Sequence, residues 1–228
     1  MEKNIREGII KSMLGITLGI QVYEHGKQIK DITTIIGIII GALIITDGIS
    51  GVAHWAVDSY GKANWPIIGK TIKAFRDHHI VPTSMTTMSF YENNEENMII
   101  ALGIQYIAII INSWYTKDQK YRNEIQLGIT CIAGLIAITN QIHAWCHTTP
   151  EKLPILVNYL QQIGIIINGK GHQKHHQSKE KDTYYCITTG WLNKPLETIA
   201  FWRTLETIIY HITATQPREE DKQWAFKK

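Results

Sequence analysis

Hydrophobic and polar positions form long alternating blocks along this chain. Five blocks are strongly apolar, and segments rich in charged residues and histidine separate them. They cover residues 9–23, 32–46, 98–111, 127–139 and 153–167. Isoleucine dominates several of them, which favours strands by composition, but strands seldom run beyond about ten residues. These runs are longer, unbroken and dotted with glycine, so we expect helices.

Four of these helices are expected to cross a membrane. A span needs roughly 20 mostly apolar residues, and uncharged flanks extend the second, third and fourth blocks to that range. We interpret the first block as a retained membrane anchor. The fifth block is more polar and is expected to lie at the interface or inside the bundle. The predicted fold class is all-α: an integral membrane helical bundle of about four transmembrane helices plus interfacial helices.

Composition narrows the possible partners and compartments. The 228 residues are expected to form a single domain, with a polar tail over residues 207–228. A net charge of +3, spread along the chain, gives no support to a nucleic-acid partner. The three cysteines form no CxxC pair, which fits a reducing compartment better than a disulfide scaffold.

Histidine is the most informative residue type in this sequence. Eight of the ten histidines fall into four groups. These are His54 with Asp58 four residues later, the pair His78 and His79, the pair His143 and His147, and the trio His172, His175 and His176. Imidazole is the commonest metal ligand among side chains. Eight imidazoles and a carboxylate exceed what one metal coordinates, so the sequence predicts two metal ions.

Helical spacing and topology both bring these groups together. Residues three or four apart share a helix face, whereas the adjacent pair points about 100° apart and could serve two metals. If four blocks cross in turn, the first and third groups follow the second and fourth crossings and open on one side. The second and fourth groups lie on that side too. It carries 18 of the 23 basic residues, so we expect the metal face in the cytoplasm.

A histidine-rich site on membrane helices predicts a di-iron oxygenase that acts on lipid. Zinc is satisfied by fewer imidazoles, and the Glu-x-x-His motifs of soluble di-iron bundles are absent. Cys146 lies between two histidines but points away from their shared face. Asp58 is either a ligand or a partner of Lys62. Asp77 and Glu92 are possible partners that fix histidine tautomers.

Three further residues have other expected roles. His25 and His211 stand outside the four groups and are expected at the interface or in solvent. Asp47 lies near the end of the second block, where a carboxylate is expected to be buried with a polar partner.

Four stretches of sequence carry a family resemblance. They read DGISGVAHWAVDSYGK (47–62), FRDHHIVPTSMT (75–86), TNQIHAWCHTTP (139–150) and HQKHHQSKEKDTYYCITTGWLNKPLETIAFWRTLE (172–206). In this order they resemble the Kua family over roughly residues 43–206. Its best-understood members are plasmanylethanolamine desaturases, and plastid relatives desaturate an acyl chain of phosphatidylglycerol.

The resemblance implies a ligand set and a reaction. The ligands would be His54, Asp58, His78, His79, His143, His147, His172, His175 and His176. They would hold two Fe ions that use O2, with electrons from an external donor such as cytochrome b5 or a ferredoxin. Two positions depart from the family pattern, Gly171 and the stretch 91–95, and both are places that could shape substrate choice.

Several functions remain open on the sequence alone. The leading one is formation of the vinyl ether of plasmalogens from a 1-O-alkyl phospholipid. Acyl-lipid desaturation or hydroxylation is the alternative within enzymes. A non-catalytic membrane module that binds metal for structural reasons is the alternative outside them.

Overall fold

Four of the five apolar blocks lie in long helices, whereas the fifth contains only the short helix Ile155–Gln162. The computed structural model describes residues 2–66, 68–115, 119–177 and 183–218, and within those ranges it contains helices and connecting segments but no strand. The α-helices are α1 (Glu2–Gly26), α2 (Ile32–Tyr60), α3 (Gly69–Ile80), α4 (Phe90–Tyr115), α5 (Gln119–Cys146), α6 (Ile155–Gln162), α7 (Gly169–Gln177), α8 (Asn193–Thr198) and α9 (Phe201–Thr213). Short 3₁₀ helices cover Pro82–Thr87 and Pro150–Lys152.

Three of these helices are long and apolar enough to span a membrane. They are Ile32–Tyr60, Phe90–Trp114 and Tyr121–Cys146. Many of their large apolar side chains, such as Ile39, Ile107 and Ile125, are exposed at the protein surface, as lipid-facing residues are. The all-α membrane fold is therefore confirmed. The first half of α1 carries several charges, and a fourth span through this helix stays a prediction.

The chain divides into two compact units. The first comprises Met1–Thr46 and Ser89–Ile142, and the second comprises Asp47–Met88 and His143–Lys228. Two of the long helices, α2 and α5, run from one unit into the other.

The first unit is a bundle built from α1, α4 and parts of α2 and α5. Helices α1 and α4 run parallel, since Lys3 pairs with Glu92 at 2.7 Å and Arg6 pairs with Glu95 at 2.6 Å near their N-terminal ends. An apolar core forms between the helices. Its buried members are Leu14, Tyr91, Met98, Ala101, Leu102, Ala133 and Ala137. Buried amides of Gln105 and Gln126 join α4 to α5 at 3.4 Å.

The second unit is organised around the irregular segment 183–192, which is anchored on α2. The fully buried carboxylate of Asp47 accepts three backbone N–H bonds, from Thr189 at 2.8 Å, Gly190 at 2.9 Å and Leu192 at 3.0 Å. The expectation of a buried Asp47 with polar partners is thus confirmed. Because each N–H would otherwise be buried without an acceptor, this one side chain fixes the path of the segment.

A glycine allows the segment to lie against α2. A Cβ atom at Gly51 would come within 2.5 Å of Cys186 Sγ and 3.2 Å of the Trp202 ring. Trp55, Tyr185, Cys186 and Trp202 form the apolar core at this contact. The helix surface one turn before His54 is therefore free of a side chain so that segment 183–192 can approach.

Candidate metal centre

All nine residues of the predicted ligand set lie in the second unit, where they form two groups. Within each group the ligand atoms lie within 4.8 Å of one another. The five-histidine group consists of His78, His143, His147, His172 and His176, and the histidine–aspartate group consists of His54, Asp58, His79 and His175. Most of these side chains are fully buried, which is rare for so many polar groups at one place.

The carboxylate of Asp58 is the centre of the histidine–aspartate group. Its Oδ2 atom lies 3.2 Å from His54 Nε2, 3.0 Å from His79 Nε2 and 3.3 Å from His175 Nε2. Asp58 thus contacts three histidines of the predicted ligand set, and its role as a metal ligand stays a prediction. Three imidazole nitrogens and a carboxylate oxygen around one point form a donor set typical of iron and zinc sites.

Ring nitrogens alone form the centre of the five-histidine group. His172 Nε2 lies 2.8 Å from His143 Nε2 and 2.9 Å from His176 Nε2. The rings of His78 and His147 complete the group, with centroids 4.6 Å and 5.2 Å from that of His143. Five imidazoles converge here without a carboxylate among them.

Neighbouring residues of one helix serve different groups. On α3, His78 belongs to the five-histidine group and His79 to the histidine–aspartate group, as their divergent directions allow. On α7, His172 and His176 share a face, while His175 lies about 100° from His176 and joins the other group. The sequence pattern placed His172, His175 and His176 on one stripe of α7. The structure divides them between the two groups, because His175 and His176 lie at opposite edges of that stripe.

Backbone carbonyls orient two of the rings. His54 Nδ1–H donates to the Tyr185 carbonyl at 3.1 Å, and His175 Nδ1–H donates to the Thr183 carbonyl at 2.8 Å. A ring that donates through Nδ1 carries its lone pair on Nε2, and both Nε2 atoms face Asp58. Segment 183–192 thus fixes the tautomer as well as the orientation of two rings of the predicted ligand set.

Burial keeps five of the imidazoles neutral. It lowers the pKa of His147 to about 4 and that of His176 to about 2, with a further contribution from His79 in both cases. Burial likewise lowers the pKa of His175 to about 4, and the pKa values of His78 and His172 fall well below the ordinary range for the same reason. At neutral pH these rings hold the lone pair that a metal ligand needs.

Unpaired nitrogens show that the residues fit metal ions. Both ring nitrogens of His78 and the Nε2 atom of His147 are buried without a hydrogen-bond partner among the residues described. In the same group, three Nε2 atoms meet at hydrogen-bonding distance although neutral imidazoles are expected there. A cation would accept these lone pairs. Without one, each buried nitrogen that lacks a partner would cost about 1–3 kcal/mol.

Several other residues that the sequence raised lie apart from the two groups. Cys146 Sγ donates to the Ile167 carbonyl at 3.4 Å, and it is not a member of either group. The prediction that Asp77 fixes a histidine tautomer is wrong, because Asp77 is partly exposed and pairs with Lys73 at 2.5 Å. Glu92 pairs with Lys3 instead of a histidine. His25 bonds to Asn123, and His211 is exposed on α9.

The residues that sequence reasoning missed act through their backbones. The carbonyls of Thr183 and Tyr185 orient ligands, and no side-chain pattern marks such a carbonyl. The only available signal was the dense polar and aromatic run that follows the last histidines, which carries these two residues.

Comparison with known proteins agrees with this site. A family model described as the lipid desaturase domain matches residues 43–220. Plasmanylethanolamine desaturase 1 of Mus musculus is 41% identical over 202 residues, which cover 85% of this chain and 71% of the mouse protein. Plasmanylethanolamine desaturase of Myxococcus xanthus is 33% identical, with 78% of this chain and 61% of that protein covered.

A plant protein is similar to the same extent. Fatty acid desaturase 4 of Arabidopsis thaliana, a chloroplastic protein, is 32% identical over 79% of this chain and 54% of its own length. No solved structure matches the chain. The family resemblance that the four sequence stretches indicated is confirmed by these relatives.

Proposed function

Because this chain belongs to the lipid desaturase family, we propose that it converts the saturated 1-O-alkyl chain of a phospholipid into the 1-O-alkenyl chain of a plasmalogen. Family membership makes the protein a membrane oxidoreductase that acts on lipid chains. The choice of an ether lipid is supported by the names of the mouse and Myxococcus relatives. The observation that carries the chemistry is the pair of buried histidine groups on helix ends.

The overall reaction is a balanced four-electron reduction of O2. The alkyl chain loses one hydrogen from each of two adjacent carbons and contributes two electrons. A separate reductant contributes the other two electrons, and two protons from solvent complete the formation of two water molecules. The donor would be a one-electron carrier such as cytochrome b5 or a ferredoxin, since the chain carries no GxGxxG nucleotide fingerprint.

We assign one iron ion to each histidine group. When bound, two irons would supply the O2 reduction that removal of hydrogen from an unactivated C–H bond requires. The neutral imidazoles add no negative charge, so Asp58 is the one anionic ligand among the nine residues. The carbonyls of Thr183 and Tyr185 keep two ligand rings in place throughout turnover.

The metal groups are assigned to the cytoplasmic side of the membrane. Loop 61–88 follows α2 and contains Lys62, Lys70, Lys73 and Arg76, whereas the connection before α2 contains Lys27 and Lys30. An excess of Lys and Arg favours retention in the cytoplasm. A cytoplasmic site would also give a soluble or peripheral electron donor direct access.

Acid lability of the product tests this proposal. Cells that lack ether-lipid desaturation would be given a 1-O-alkyl phospholipid, with and without this chain. Mild acid hydrolyses a vinyl ether and releases a fatty aldehyde, whereas alkyl ethers and ordinary alkenes survive. We expect aldehyde only when the chain, O2 and the ether lipid are all present.

Two other outcomes would overturn the proposal in different ways. A new acyl-chain double bond without aldehyde would reject the ether-lipid substrate and favour the chemistry named for the Arabidopsis relative. No lipid product, together with tightly held zinc, would favour a non-catalytic metal-binding module. The histidine–aspartate and five-histidine groups would then have a structural role only.

A further inference from the structure

A cavity of about 760 Å³ adjoins one of the two histidine groups. It lies in the second unit between α6 and α7, and His147, His172 and His176 form part of its wall. No member of the histidine–aspartate group lines it, as far as the described residues extend. Volumes of this size are typical of small-molecule sites. The cavity therefore gives a ligand access to the five-histidine group.

Helix α7 presents a chemically mixed face to this cavity. Lys170, Gln173 and His176 recur at three-residue spacing and line it together. Among the described lining residues, Lys170 is the only Lys, Arg, Asp or Glu and so carries the only formal charge. Lys170 belongs to the first turn of α7, where the helix dipole also favours an anion. About 9 Å of helix separates Lys170 from His176.

Helix α6 forms the opposite wall and divides the cavity from an apolar surface. Asn158, Gln161 and Gln162 line the cavity from one face of the helix. A different face carries Leu156, which is 65% exposed, and Tyr159, which is 56% exposed. A short helix with one apolar exposed face and one polar face is suited to the boundary between acyl chains and headgroups. The cavity consequently lies beside a lipid-facing element.

We propose that this cavity receives the headgroup end of the lipid substrate and that Lys170 binds its phosphate. The inference rests on the proposed function, because it takes a phospholipid as the substrate. A phosphate held at Lys170 leaves the glycerol linkage to extend along α7 toward His172 and His176. The first carbons of the sn-1 chain then come to the five-histidine group. Lys170 is a specificity-determining residue in this assignment, and the amides of α6 and α7 surround the headgroup.

Kinetics of charge variants provide the first test. Initial rates would be measured with the full chain in nanodiscs over a range of 1-O-alkyl phospholipid. Lys170→Glu should raise KM about tenfold, as expected when one charge-assisted contact is lost, and should change kcat less than twofold. Lys170→Arg should restore KM. The matched control is Lys174→Glu, one turn further along α7, where the ammonium lies 5.0 Å from the Tyr184 ring centre and does not line the cavity.

Photo-crosslinking provides a readout that does not depend on turnover. The holoenzyme would be kept without O2 and irradiated with a phospholipid that carries a photoreactive group near its phosphate. Peptides from residues 155–177 should carry the label, and Lys170→Glu should lower the yield several-fold while Lys174→Glu leaves it unchanged. Glycerophosphoethanolamine should compete for labelling, and inorganic phosphate at the same concentration should not. Equal competition by inorganic phosphate would overturn the lipid assignment.

The two proposals fail in distinguishable ways. Normal KM and normal labelling in Lys170→Glu, with aldehyde still formed, would overturn the headgroup site and leave the desaturase intact. Labelling that depends on Lys170 in a protein that makes no aldehyde would support the site and overturn the ether-lipid reaction. A bulky filler, Gln173→Trp, should abolish labelling while Lys174→Trp does not. Labelling unaffected by Gln173→Trp would also count against the cavity.

Discussion

At the scale of single residues, Asp58 has the most demanding role. Its one carboxylate contacts three imidazoles from three different helices, α2, α3 and α7. A neutral amide of the same shape would keep the volume but lose the anionic ligand. The residue is therefore the most selective place to separate metal binding from packing.

Asp58→Asn is expected to remove the metal from the histidine–aspartate group. Iron content should fall from two toward one per chain, and vinyl-ether formation should fall at least about 100-fold. Metal analysis of protein purified from iron-replete cells, with a product assay on the same sample, measures both. His211→Ala on the exposed surface of α9 is the control and should retain both. Two irons and normal turnover in Asp58→Asn would show that this carboxylate is not a ligand.

The sequence predicted those members of the site that act through their side chains. Metal-binding residue types at helical spacing, such as His54 with Asp58, are visible in a single chain. The carbonyl of Tyr185 bonds to His54 across 131 residues, and a backbone group has no residue type of its own. The division of α7 between two groups depends on the exact phase of the helix, which spacing alone does not give.

At the scale of elements, α2 combines a lipid-facing half with a half that supports the metal centre. Gly37 and Gly51 lie in the two halves. Nothing lies within 4 Å of a Cβ built at Gly37, whereas one at Gly51 would collide with Cys186 and Trp202. The two glycines thus form a matched pair within one helix.

Gly51→Ala should destabilise the protein, and Gly37→Ala should not. The extra methyl at position 51 must displace segment 183–192, at a net cost of about 1–2 kcal/mol after the better helix propensity of alanine is counted. Because the displaced segment orients His54 and His175, activity should fall as well. Thermal unfolding in detergent compares the two variants. Equal unfolding temperatures for both would contradict the close contact between α2 and the segment.

The long helices were predictable at this scale, and of the short ones only α6 was, because it lies within the fifth apolar block. Uninterrupted apolar blocks predicted α2, α4 and α5 because length and hydrophobicity suffice in a membrane. Helices α3 and α7 are polar and rich in histidine, and tertiary contacts stabilise them. The path of segment 183–192 depends on Asp47, whose partners lie more than 140 residues away.

At the scale of the whole molecule, α2 determines which side of the membrane each connection occupies. Its 29 residues extend about 43 Å, more than the roughly 30 Å of a hydrocarbon core. Residues before Ile32 and after Tyr60 must then lie on opposite sides. In the orientation proposed above from the charge distribution, the later residues and the two histidine groups are expected in the cytoplasm.

Single cysteines at positions 28 and 62 should therefore label from opposite sides. Gln28 and Lys62 are exposed, while the native cysteines are buried or half-buried and should give little background. A membrane-impermeant maleimide applied to intact cells should react with Gln28→Cys, and Lys62→Cys should react only after lysis. Labelling of both in intact cells would mean that α2 does not cross. The reversed pattern would place the metal groups outside the cytoplasm.

The bonds of Asp47 also have a consequence for how the protein is made. The ribosome adds about 5–20 residues per second, so synthesis of α2 ends roughly 6 to 26 seconds before Thr189, Gly190 and Leu192 are added. During that interval a nascent helix holds a carboxylate whose final acceptor role is unfilled, at a cost of about 3 kcal/mol if it lies deep in the bilayer. The nascent chain therefore needs a transient environment for α2, either inside the insertion machinery or at the membrane surface. The nine residues of the two groups come together only after His176 has been synthesised, so metal loading at the proposed site would come late in translation.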